Sequence, residues 1–124
     1  MRDIDEVSGD VIDVALRIHR ELGPGLLESV YETVLSGKLE EMGYVVDRQR
    51  PIDIEFEGTR FTGAFRADLI VEKTVIVELK SQEKIPPVDY KILLTQLKLS
   101  KLPVALMINF YEILLKNGIR RFVN

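Results

Sequence analysis

The sequence predicts an α/β fold, a mixed central β-sheet flanked by helices. Three observations predict it. Apolar residues recur at spacings of three and four across residues 4–42, the period shortens between 44 and 80, and a second helical stretch precedes a nearly all-apolar run at 104–110.

The first helix is expected over residues 4–22, where Val7, Val11, Val14, Ala15, Ile18 and Leu22 share one face. Gly23-Pro24-Gly25 stops it, because glycine accepts a left-handed cap and proline cannot continue a helix. A second helix starts near Leu26, with Leu27, Val30, Tyr31, Val34, Leu35, Leu39 and Met42 as its apolar side, and ends at Gly43. Glu28 lies early in it, where a carboxylate complements the helix dipole. Residues 44–49 and 52–56 read as two short strands, and Glu57-Gly58 as a turn into a third extended segment, 60–71. Glu72-Lys73 is a tight connection to a strand at 74–80. Pro86-Pro87 breaks the chain, and Ile92, Leu93, Leu94, Leu97 and Leu99 then mark a helix over 90–102 that stops before Pro103. The run at 104–110 has the character of a strand covered on both faces. Asn117-Gly118, a hairpin-turn dipeptide, leads to a last strand at 119–123.

With 124 residues, 46% hydrophobic and 30% charged, the chain suits one domain over 1–124, with a real core and a solvated surface. It has no cysteine, which excludes disulfides, thiolate metal sites and cysteine nucleophiles. The first six residues lack the apolar core of a signal peptide, and no apolar run is long enough to span a bilayer. A cytoplasmic protein with no membrane partner is expected. The net charge of -3 and pI near 5.2 exclude a strongly basic surface, so contact with nucleic acid must rest on a local patch, a bound cation or a partner.

The chemistry concentrates at Asp68 and at Glu78-Leu79-Lys80. Strand side chains alternate, so Glu78 and Lys80 share a face while Val77 and Leu79 take the other. If residues 72–73 form a turn, Asp68 lies on the adjoining strand and approaches Glu78. Two carboxylates, with the Leu79 carbonyl as a further oxygen, form a hard site of the kind Mg²⁺ prefers. Lys80 is then placed to orient or deprotonate a water, or to stabilise charge on a phosphate. The same residues also suit an ordinary cross-strand ion pair. Their place inside the most apolar strand pair favours the metal reading, because buried charges need compensation that a cation supplies.

The stretch Gly25-Leu26-Leu27-Glu28-Ser29-Val30-Tyr31 carries a G-x-x-E-x-x-Y signature. Around it stand residues 18–24, Phe65-Arg66-Ala67-Asp68-Leu69, residues 75–80, Ile108-Asn109-Phe110 and residues 117–121. From about Val11 to Val123 the chain resembles the GxxExxY proteins, a family placed in the PD-(D/E)XK nuclease superfamily. The resemblance implies a restriction-endonuclease-like core with Asp68 and Glu78 as ligands of a divalent metal and Lys80 as catalytic lysine. It further implies Glu28 as an additional acidic residue near the metal. Mg²⁺ is the expected ion, with Mn²⁺ as a substitute, and nucleic acid the expected partner, DNA ahead of RNA. One departure stands out. Where the family has a glutamine and, four residues on, a tyrosine, this chain has Ile92 and Gln96. Gln96 could supply the amide from one turn further along. The departure and the acidic balance also suit a nuclease-fold binding or accessory module; a third reading has a homodimer or partner subunit supply the nucleic-acid surface.

Three further features carry blander readings. Tyr31 suits core packing with its hydroxyl at the rim. His19 suits a contact with carbonyls near its helix end. Lys91, Lys98 and Lys101, with Arg48 and Arg50, suit either a phosphate-tracking patch or an ordinary solvated face.

Overall fold

A computed structural model describes residues 2–124. Helix α1 (Ile4–Leu22) is capped by Asp3, whose carboxylate accepts the Glu6 N–H at 2.9 Å, and it ends at Gly23 with φ +77°. It buries Val7, Val11, Val14, Ala15 and Ile18 as its spacing predicts. Helix α2 (Glu28–Glu41) buries Tyr31, Leu35 and Leu39, together with Glu32 and Ser36. Leu27, Val30 and Met42, expected on its apolar side, face water. The buried stripe takes in position 32, where Glu32 accepts hydrogen bonds from Arg48 and Gln49.

Five strands follow in the order β1-β2-β3-β4-β5. Strands β1 (Val46–Phe56) and β2 (Thr59–Val71) are antiparallel, as are β2 and β3 (Val75–Lys80). Helix α3 (Pro87–Ser100) then crosses over so that β4 (Val104–Asn109) runs parallel to β3, and β5 (Ile119–Val123) closes the far edge antiparallel to β4.

The expected break between residues 44–49 and 52–56 does not occur: the chain runs on as one strand from Val46, with residues 44 and 45 outside it. Pro51 is tolerated because β1 is an edge strand, and the pairing slips by a bulge between Ile52 and Ile54 instead. Glu72 and Lys73 both have positive φ, 54° and 59°, and form the tight hairpin turn that joins β2 to β3. Helix α3 begins earlier than residue 90, since Pro87 takes the first helical position, where its missing N–H costs nothing. Of its expected apolar face only Leu93 and Leu97 are buried, and Ile92 and Leu94 are exposed. Asn117-Gly118 is not a two-residue hairpin turn. It ends a 3-10 turn, Leu115–Gly118, and a Cβ at Gly118 would stand 2.7 Å from the Asn109 carbonyl. Close approach, not a left-handed backbone, accounts for this glycine.

The sheet separates two apolar clusters. The larger joins α1 and α2 to Leu69, Val71, Val75, Val77, Leu79 and Leu106. The smaller joins α3 to Ala67, Ile70, Ile76, Ala105 and Met107. Every residue of β4 is buried, as a strand covered on both faces must be. Among the described residues no helix is long and apolar enough to cross a membrane.

Candidate active site

The β2–β3 ladder pairs Val71 with Val75, Ile70 with Ile76 and Leu69 with Val77, then stops. The same register sets Asp68 beside Glu78. Ala67 packs in the α3-side cluster and Leu69, two residues on, in the opposite one. Strict alternation is therefore broken at Asp68. Freed from the ladder, its Oδ2 accepts the Leu79 N–H at 2.9 Å. This replaces the backbone partner that pairing would have supplied.

Glu78 and Lys80 share a face, as expected, and are half-buried. The Asp68 carboxylate lies within hydrogen-bonding reach of Glu78. Burial first, and then the Asp68 charge, push the Glu78 carboxyl up to about 8; Lys80 opposes the rise and Glu28 adds to it. The Lys80 ammonium stands 3.9 Å from Glu78 Oε1 and 3.3 Å from Asp89 Oδ2. Asp89, in the first turn of α3, is a site neighbour that sequence reasoning missed.

Open space flanks the acidic pair on both sides. One cavity of about 400 Å³ is lined by Glu28, Ser29, Glu32, Gln49, Asp68 and Leu79. The other, about 140 Å³, has Glu78, Lys80, Asp89, Arg66, Ile92 and Gln96 in its wall. Asp68, Glu78, Lys80, Glu28, Leu79 and Gln96 thus each border one of these two cavities, with Glu28 and Leu79 on the Asp68 side and Gln96 on the Lys80 side.

Glu28 owes its place to the signature tyrosine. Tyr31 is fully buried, stacks on Phe110 at 4.2 Å between ring centroids, donates its hydroxyl to the Gly23 carbonyl at 2.6 Å and accepts the Leu26 N–H at 3.1 Å. It pins the loop that delivers α2 and stays out of the site. Ser81 adds a second tie, its hydroxyl donating to the Leu26 carbonyl at 2.6 Å. The His19 ring nitrogen Nε2 bonds the Glu112 carbonyl at 2.8 Å, so it joins α1 to the chain beyond β4 rather than to its own helix end. Arg48 pairs with Glu32 and Arg50 with Asp47, and both arginine side chains stay partly exposed.

Among the described residues no three acidic or histidine side chains converge into a metal cage. What converges is a pair, Asp68 and Glu78, with Glu28 near enough to be felt. Magnesium keeps several of its waters and commonly takes only one or two carboxylates, so this donor set fits it. The crowding that raises Glu78 is also what a cation would relieve.

No curated protein and no solved structure matches the chain. A family model does, over residues 5–122, and its description is the PD-(D/E)XK nuclease superfamily. Its nucleases usually use divalent metals, and the mixed five-stranded sheet between helices agrees with their restriction-endonuclease-like fold. The match spans nearly the whole chain and includes both acidic strands: the chain belongs to the PD-(D/E)XK nuclease superfamily.

Proposed function

We propose that the protein is a magnesium-dependent nuclease that hydrolyses phosphodiester bonds, in DNA ahead of RNA. One observation carries the reading: Asp68 and Glu78 meet, half-buried, where the β2–β3 ladder stops, with Lys80 beside them. Asp68 and Glu78 hold the ion, with the Leu79 carbonyl as a further oxygen and Mn²⁺ as a substitute metal. Bound there, the ion supplies Lewis acidity and a more acidic water. Glu28 adds negative charge at the mouth of the Asp68 cavity. Lys80 presents a positive charge and three donors toward a phosphate, and Asp89 keeps that ammonium aimed into the cleft. Gln96 offers an amide on the same wall.

A second reading, a nuclease-fold binding module with little turnover, is favoured by Ile92. An exposed apolar side chain stands in the cleft wall where the resembled family has an amide.

Calorimetric titration of Mg²⁺ and Mn²⁺ into the wild type, Asp68→Ala and Glu78→Ala tests the metal site, and cleavage of labelled DNA and RNA tests the activity. Binding by the wild type alone is expected, together with metal-dependent cleavage that falls about 10²- to 10⁴-fold in Lys80→Ala while metal binding persists. Retained affinity in Asp68→Ala would sink the assignment. Binding without cleavage of any substrate would leave the accessory reading.

A further inference from the structure

Beside the acidic pair runs a hydrogen-bonded chain that the proposed chemistry does not use. Glu32, one turn after Glu28 on α2, is only 8% exposed. A buried carboxylate is costly unless donors surround it. Its donors are Arg48, through Nε at 3.2 Å and Nη2 at 3.1 Å, and the side-chain amide of Gln49. The same Gln49 nitrogen also donates to Asp68 Oδ1 at 3.3 Å. With the Leu79 N–H on Oδ2, both oxygens of Asp68 have a fixed donor.

Adjacent strand residues normally point to opposite faces, yet Arg48 and Gln49 both reach Glu32. The backbone explains how: Gln49 has φ +49°, a left-handed residue inside β1. Such a conformation persists only where its surroundings over-determine it, and these cluster at functional sites. The direction of the amide is fixed as well. Between two acceptor-only carboxylates, only the NH₂ end can serve both.

We propose that Gln49, oriented by Glu32, is a positioning residue that holds the Asp68 carboxylate ready for the divalent ion. This rests on the reading of Asp68 and Glu78 as the metal pair. Glu32 acts one bond further out, and Arg48 serves to neutralise Glu32.

The test is calorimetric Mn²⁺ affinity, read beside the melting temperature of the chelator-treated protein. Gln49→Met keeps the length of the side chain and removes its donor; a 10- to 100-fold loss of affinity is expected, in the range typical of partners that orient metal ligands. Glu32→Gln provides a second variant should Gln49→Met not fold. Its own amide, facing Gln49, turns the Gln49 carbonyl toward Asp68, and a loss of similar size is expected. Val14→Ala, a core truncation on α1 outside this hydrogen-bonded chain, lowers the melting temperature but leaves affinity within about threefold, which separates positioning from general support. Wild-type affinity in a folded Gln49→Met or Glu32→Gln, with binding abolished in Asp68→Ala, overturns the proposal and spares the metal pair. Wild-type affinity in Asp68→Ala overturns both.

Discussion

At one end of the β2–β3 pairing Val71 meets Val75, both out of water; three steps along the same two strands, Asp68 meets Glu78. The first end is closed on both sides by core packing. The second is bordered by the start of α2 and the first turn of α3, with a cavity on each side. One pair of strands thus passes from a dry core to a charged cleft within the length of a short ladder. The difference teaches that the acidic pair depends on the ladder stopping. Where backbone pairing ends, a side-chain carboxylate can take a strand N–H and two acids can share a gap.

Three measurements would break or sharpen that contrast. The largest effect belongs to the dry end. Ile76 is fully buried, and Ile76→Ala should cost about 2–5 kcal/mol in denaturant melts, with little dependence on pH between 5 and 8. The charged end should behave oppositely. The Glu78 carboxyl is held at about 8 in the folded chain against an ordinary 4.5. The folded state therefore keeps its proton where the unfolded chain has released it. This contribution is complete below pH 4.5 and is lost as pH rises toward 8 and above. In metal-free protein, Glu78→Gln should abolish that slope and leave the variant more stable than wild type at pH 8, by a few kcal/mol. Parallel stability curves for the two proteins from pH 5 to 8 would contradict the assignment of the raised carboxyl to Glu78. The smallest effect is a control outside the ladder. Arg121 and Asp5 pair at 2.8 Å on the surface, and Arg121→Ala should change stability by less than about 1 kcal/mol, less still in high salt.

Much of this was legible in the sequence, for a physical reason: periodicity is local. Alternation alone sets Glu78 and Lys80 on one face of β3, and the Glu72-Lys73 turn fixes which residue of β2 comes opposite. Glu32, Gln49 and Asp89 were missed because their roles arise from convergence. Each comes from a different element, and no spacing rule links residues 32, 49 and 68. A partial signal existed at Glu32, four residues after Glu28 and between apolar positions, where a carboxylate asks what neutralises it. The apolar faces of α2 and α3 were drawn too broadly for a related reason. Both helices lie at the rim of the cleft, so hydrophobic residues such as Leu27, Val30 and Ile92 border open space instead of core.

The irregular path of β1 has a consequence for solubility. β1 is an outer strand of the sheet, and a regular outer strand is a template onto which a neighbouring chain can add. Pro51 removes one donor from that rim, the bulge between Ile52 and Ile54 shifts its register, and the left-handed turn at Gln49 bends it. The distortion that brings Gln49 to Asp68 therefore also blunts an edge prone to aggregation, so a variant straightened for stability would trade a positioned carboxylate for a sticky rim.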